Sequence, residues 1–201
     1  MTTLTAEERA RKIKLILFDV DGVLTDGGIW LFPATASSSA SANMVEAKGF
    51  NAHDGAGMTL ARLGGMKIGF ITRRVSETVA LRARDLKIEH VYMGQAYKMR
   101  AVREILEKES LTLEQIAYVG DDVIDLPVMR VCGLAVAVAN ARHPVKEAAH
   151  YITPNPGGFG AGRDAIDFIL AAKGILDQVI EQYIDEGNPI SASMDIGKGN
   201  A

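Results

Sequence analysis

Asp19 and Asp21 close a short apolar run and are followed by Gly22; Thr72 closes a second run and Lys98 follows a third. Asp121, Asp122 and Asp125 come directly after Gly120, at the end of a fourth. Carboxylates brought close together repel, and some protonate unless a cation joins them. An all-oxygen set poor in histidine suits a hard ion, and one or two carboxylates plus a substrate phosphate is the usual way to hold Mg2+. A carboxylate left facing the substrate can attack phosphorus and form an aspartyl-phosphate. A second one, two residues on, is placed to protonate the leaving oxygen and then to deprotonate the hydrolytic water. Thr72 offers its hydroxyl and backbone N–H to phosphate oxygens, and Lys98 brings positive charge to the phosphoryl group and the nucleophile. Gly22 lets the chain turn sharply beneath the phosphate.

These residues need a frame that brings them together. Lys14–Asp19, Lys67–Thr72, His90–Met93, Ile116–Gly120 and Gly133–Val138 read as short strands. Gly55–Leu63, Ser76–Leu86, Lys98–Lys108 and Asp125–Val131 lie between them as helices, with Ser76 a suitable N-cap. A late helix carries Ala165, Ile166, Ile169 and Leu170 on one face. The alternation predicts an α/β fold: a Rossmann-like, doubly wound, mostly parallel sheet with helices on both faces. Ligands in such sheets bind outside the carboxyl ends of the strands, where all the polar residues above fall. Residues 27–50 break the rhythm. Ile29–Phe32 and Met44–Lys48 read as a protruding β-hairpin joined by an Ala/Ser tip, and its continuous apolar strand needs a cover. No insertion large enough for a cap domain separates Gly27 from Thr72. The expected organisation is one domain over residues 1–173, then a C-terminal helix and polar tail over 174–201.

The chain has 201 residues, 48% apolar and 23% charged, which argues against disorder and coiled coil. A net charge of −3 argues against a nucleic-acid partner held by phosphate contacts. No apolar run approaches the ~20 residues of a membrane span, and residues 1–14 lack the features of a signal peptide. The one cysteine, Cys132, excludes an internal disulfide and reads as buried packing, so the expected setting is the reducing cytoplasm. Each candidate also has a plain structural reading. Asp125 suits a helix N-cap, Lys98 an exposed helix lysine, Arg82 a solvated charge-rich face and His53 a loop residue. Gly157–Gly162 lacks the Lys-Ser/Thr of a P-loop and reads as a turn.

Asp19-Val-Asp21-Gly-Val-Leu-Thr, Ile-Thr72, Lys98 and Gly-Asp121-Asp122-Val-Ile-Asp125, in that order, resemble the four motifs of haloacid dehalogenase superfamily phosphatases. Within that superfamily, Phe50-Asn-Ala-His-Asp54-Gly55, Arg74, Arg82, Tyr92–Lys98, Tyr118–Asp122 and Gly157–Arg163 resemble the 3-deoxy-D-manno-octulosonate 8-phosphate phosphatase family. The likeness covers roughly residues 14–173. It implies a cap-less, typically homotetrameric enzyme acting on phosphorylated sugar acids, with hairpins joined in a barrel and neighbouring chains closing each site. It implies Asp19 as nucleophile and Asp21 as general acid/base, with Thr72 and Lys98 completing the catalytic set. Mg2+ would be held by Asp19, the backbone carbonyl of Asp21, and Asp121, with Asp122 and Asp125 supporting the metal or Lys98. Asn51, Ala52, His53, Asp54, Gly55, Thr59, Arg74, Arg82 and Lys98, with Asp21, would contact the substrate, some across a subunit boundary.

Arg73, His53, Thr59 and Phe159 depart from the family pattern, which leaves the phosphoryl chemistry intact and bears on the sugar acid. A nine-carbon sialic-type sugar phosphate is therefore the alternative substrate. An alternative of another class is a phospho-accepting receiver-like signalling domain. A receiver, however, places its acidic pair after the first strand rather than the fourth.

Overall fold

Leu15–Phe18 form β1, and all four residues are buried. The computed structural model describes residues 4–33 and 44–185; the expected hairpin tip and the tail beyond Gly187 lie outside them. β1 is central in a six-stranded sheet with β4 (Lys67–Ile71), β5 (His90–Tyr92), β6 (Ile116–Gly120), β7 (Leu134–Ala137) and β8 (Tyr151–Ile152). The order is β5-β4-β1-β6-β7-β8, and every pairing is parallel. β1, β6 and β7 are buried along their whole length, as strands covered on both faces must be. On one face α1 (Ala6–Ala10), α2 (Ala52–Leu63), α7 (Ala161–Ala172) and α8 (Leu176–Ile184) pack together. On the other lie α4 (Lys98–Glu109), α5 (Leu126–Met129) and α6 (His143–Ala148), while α3 (Glu77–Asp85) follows β4.

The chain winds outward from β1 through β4 to β5, then returns to the other side of β1 for β6, β7 and β8. The winding therefore reverses between β1 and β6, and their carboxyl ends open the crevice in which such sheets bind ligands. Asp19 follows β1 and Asp121 follows β6, so the topology itself brings the two carboxylates together.

β2 (Trp30–Pro33) and β3 (Met44–Ala47) form a separate antiparallel hairpin, with Trp30 opposite Ala47. Trp30, Leu31, Phe32, Met44 and Val45 are each more than half exposed. Adjacent residues of a strand point to opposite faces, so both faces of the hairpin carry apolar side chains left exposed among the described residues.

Several boundaries differ from the sequence reading for local reasons. The Asn51 side chain accepts the His53 N–H at 2.9 Å and starts α2 at Ala52 rather than Gly55. The helix expected over Asp125–Val131 is a 3-10 turn, Val123–Asp125, followed by α5 with Pro127 in its first turn. α1 was not anticipated; a reciprocal Thr5–Glu8 capping box closes its first turn. Neither α6 nor β8 was anticipated; β8 has two residues, and Tyr151 stacks on Phe168 with ring centroids 4.0 Å apart. Ser76 caps α3 as expected, and Cys132 is buried.

His150 Nδ1 accepts the Ala135 N–H at 2.9 Å at the start of β7. Burial, and then the nearby Arg9 guanidinium, hold its pKa below the ordinary 6.5. The folded state favours the neutral ring, so this contribution to stability is complete above about pH 6.5 and fades as pH falls through the depressed folded value. In urea unfolding, His150→Asn, which keeps an acceptor but cannot charge, should lose less stability than the wild type between about pH 7 and pH 5.

Candidate active site

Lys98 opens α4 and is almost fully buried. Its Nζ lies 2.7 Å from Asp19 Oδ2 and 2.7 Å from Asp125 Oδ1. Asp125 is wholly buried and has no spare capacity. Oδ1 also takes the Tyr118 hydroxyl at 2.8 Å, and Oδ2 takes the Asp121 and Asp122 N–H groups at 3.0 and 3.3 Å. It therefore ties the loop after β6 to the ammonium that faces Asp19. Asp19 Oδ1 accepts the Val20 N–H at 2.7 Å.

Asp19, Asp121 and Asp125 each bring an oxygen within 4.8 Å of the others. Ionised pairs at such separations repel by about 3 kcal/mol or more at an effective dielectric of about 20. Burial pushes the Asp19 carboxyl up to about 7, against the pull of Lys98. Burial, and then Asp19 and Asp125, push Asp121 up to about 7. Asp121 Oδ1 is buried with no hydrogen-bond partner. An orphaned carboxylate oxygen beside a second carboxylate and an excess of negative charge is the donor set a hard divalent cation satisfies.

The loop after β1 is clamped from two sides. Gly22 has φ +87°, and a Cβ there would lie 2.2 Å from Asp121 Oδ2. A Cβ at Gly157 would lie 1.8 Å from the Gly22 carbonyl oxygen, so the glycine-rich turn packs its backbone directly against the loop that carries Asp21. The Gly158 N–H donates to the Val23 carbonyl at 3.1 Å, and the Gly157 N–H to Asn140 Oδ1 at 2.9 Å.

Thr72 is buried at the end of β4, but its N–H donates to the Tyr92 carbonyl at 2.9 Å, extending the β4–β5 ladder. The sequence reading offered that N–H to phosphate; only the hydroxyl remains for it, and its oxygen already accepts the Arg74 N–H at 3.3 Å. Asp122 stands apart from the three clustered carboxylates: it is exposed and caps Val123 N–H at 2.7 Å. Arg74 Nε approaches Asp21 Oδ2 at 4.0 Å.

The remaining substrate candidates sit around α2. Asp54 is buried, and Oδ1 takes the Arg163 N–H at 2.8 Å, capping α7 from a neighbouring helix. Burial raises its pKa to about 6. Thr59 Oγ1 donates to the Gly55 carbonyl at 3.4 Å. Arg82 pairs with Asp85 at 2.7 Å, lies over the Phe50 ring and brings its Nη2 to within 2.8 Å of where a Cβ at Gly55 would stand. Ala52 and His53 are exposed. Among the described residues, no hydrogen bond or ion pair joins Asn51, His53, Thr59 or Arg82 to Asp19, Asp21, Lys98 or Asp121.

Sequence reasoning assigned no role to Lys48 or Glu46 and named Tyr118 only within a motif. A tyrosine inside a fully apolar buried strand is a readable signal, since its hydroxyl needs a partner. Lys48 has no such local signal; its partner Asp21 is distant in the chain.

A family profile described as haloacid dehalogenase-like hydrolase matches residues 72–157. The 3-deoxy-D-manno-octulosonate 8-phosphate phosphatase of Escherichia coli K12 is 41% identical over 176 residues, spanning 88% of this chain and 89% of that one. The crystal structure of the enzyme of that name from Yersinia pestis has a TM-score of 0.78 at 39% identity, covering 86% of this chain and 88% of that one. The Moraxella catarrhalis enzyme of the same name, solved with a magnesium ion, a phosphate ion and 3-deoxy-D-manno-octulosonate, has a TM-score of 0.80 at 34% identity, with 89% and 97% covered.

Both raised carboxyls lie above their ordinary 3.8, so in the absence of a cation they cost stability as pH rises from about 4 through about 7. Mg2+ should therefore raise the melting temperature more at about pH 8 than at about pH 5, where protons compete for the same oxygens. Asp121→Asn should remove most of that increment in a thermal shift titration.

Proposed function

The chain belongs to the 3-deoxy-D-manno-octulosonate 8-phosphate phosphatase family of haloacid dehalogenase-like hydrolases, and on that footing we propose its reaction and the role of each site residue. It is a Mg2+-dependent phosphoric monoester hydrolase. Its substrate is a phosphorylated sugar acid, 3-deoxy-D-manno-octulosonate 8-phosphate, cleaved to the sugar acid and phosphate. The observation that carries the reading is the buried Asp19–Lys98–Asp125 chain beside the unpartnered Asp121 oxygen, at the point where the sheet reverses its winding. This assignment sets aside the receiver-like alternative.

Asp19 attacks phosphorus, with Lys98 holding its Oδ2 and offering positive charge to the phosphoryl oxygens. The Thr72 hydroxyl donates to one of those oxygens. Asp21 protonates the departing sugar oxygen, then takes a proton from the water that cleaves the aspartyl-phosphate. Asp19, the Asp21 backbone carbonyl and Asp121 would hold Mg2+, which would supply positive charge against the charge developing on the phosphoryl group. Asp125 fixes Lys98 and the β6 loop, and Asp122 caps the turn that follows.

The guanidinium of Arg74 stands at the mouth beside Asp21 and suits the substrate carboxylate. Among the described residues, Asn51, His53, Thr59 and Arg82 make no hydrogen bond or ion pair to Asp19, which supports some of them serving the site of a neighbouring copy. The uncovered hairpin supports the same reading: a homo-oligomer, a tetramer in the family pattern, joined through β2 and β3. No described helix is long and apolar enough to cross a membrane. A cytoplasmic setting agrees with the single buried thiol of Cys132.

Asp19→Asn should lower phosphate release by at least about 10³-fold, as removal of a covalent nucleophile does elsewhere, while circular dichroism and melting stay close to wild type. A phosphate-release screen with Mg2+ should rank the eight-carbon acid first. A nine-carbon acid ranked first would trace to His53, Thr59, Arg73 and Phe159. Sedimentation should find a tetramer, and Leu31→Asp should dissociate it with loss of activity; a fully active wild-type monomer would contradict the shared-site reading.

A further inference from the structure

The Lys48 side chain has no exposed surface, although it directly follows the hairpin's exit strand, outside the six-stranded sheet. Its ammonium contacts two groups: Asp21 Oδ1 and, at 2.9 Å, Glu46 Oε1. Glu46 is itself anchored to the body. Its Oε1 takes Arg74 at 3.1 Å, and its backbone carbonyl takes the Thr78 hydroxyl at 2.9 Å at the start of α3. A buried ammonium is tolerated only where its partners are in place, so this geometry is built rather than incidental. Asp21, by contrast, sits in a turn beyond β1. Among the described residues, its carboxylate is met only by Lys48 and, at 4.0 Å, by Arg74.

We propose that Lys48, braced by Glu46, is a positioning residue that fixes the Asp21 carboxylate at the leaving oxygen of the substrate. The inference rests on Asp21 being the general acid. A carboxylate on a free turn samples several rotamers, and a proton donor must stand within hydrogen-bond reach of the oxygen it serves. Because Glu46 lies in β3 and Lys48 directly follows it, the seating of the hairpin and the aim of the acid are one event. The hairpin is thus part of the chemical machinery as well as a surface for neighbours.

The test compares leaving groups. kcat/KM reports steps up to release of the leaving group. An alkyl phosphate needs a proton at that step, whereas 4-nitrophenyl phosphate and acetyl phosphate do not. Lys48→Met should cut kcat/KM for the sugar acid phosphate about 10²-fold, the loss expected for a misaimed acid, and for the other two by under about threefold. Lys48→Arg should recover about tenfold of the lost rate. Glu46→Gln should show the same skew at smaller size, and it carries the test should Lys48→Met not fold. Equal losses on all three substrates, or no loss on the alkyl phosphate, would overturn the proposal. If the wild type refuses the sugar acid phosphate yet cleaves another alkyl phosphate, only the substrate assignment falls. The leaving-group comparison then proceeds on that ester.

Discussion

Three carboxylates and one ammonium meet beneath the surface, and the imbalance governs everything around them. Lys98 compensates only part of the charge of Asp19, Asp121 and Asp125. Burial, and then that remainder, raise the Asp19 and Asp121 carboxyl pKa values, and Asp121 Oδ1 is buried without a hydrogen-bond partner among the described residues. Such a cluster is unfavourable as it stands and favourable around a divalent ion. Asp19 is thereby partnered by Lys98 whether or not an ion is present. Asp125 makes this possible by spending both oxygens on fixed donors, so that the ammonium of Lys98 points at Asp19 rather than at solvent.

The sheet exists to create that meeting. Strands from distant parts of the chain end side by side because β6 returns next to β1. The apolar runs that make these strands are buried throughout, and that rigidity fixes the spacing of the residues just beyond their ends. The mouth of the site is built differently. There the contacts are ionic, involve long side chains and come from the hairpin and the start of α3.

Much of this arrangement was legible in the residues themselves. β6 matches its apolar run residue for residue, and β1 and β4 follow theirs closely, because buried parallel strands leave unbroken apolar stretches. Asp19, Lys98, Asp121 and Asp125 were expected on one rim because each closes or follows a strand-like run of a parallel sheet. What escaped was set by non-local contacts or by very short elements. Nothing near Thr72 says that its N–H completes a ladder with Tyr92. Nothing near Asp54 says that it caps a helix beginning at Ala161. The carboxylate of Asp122 looks like its neighbour's in sequence, yet it turns back on its own backbone. α1 did carry a sign, Thr5 three residues before Glu8, but a helix of five residues has no apolar period to accompany it.

The packing of Gly157 on Gly22 has an evolutionary corollary. The two positions are far apart in the gene but share one contact, and on each side it is made by backbone, not by a side chain that could shrink. A side chain gained at Gly157 meets a backbone carbonyl that no substitution removes, and one gained at Gly22 meets the Asp121 carboxylate. Drift is therefore closed at both positions at once, and a lineage that loses one is left without a second-site route back.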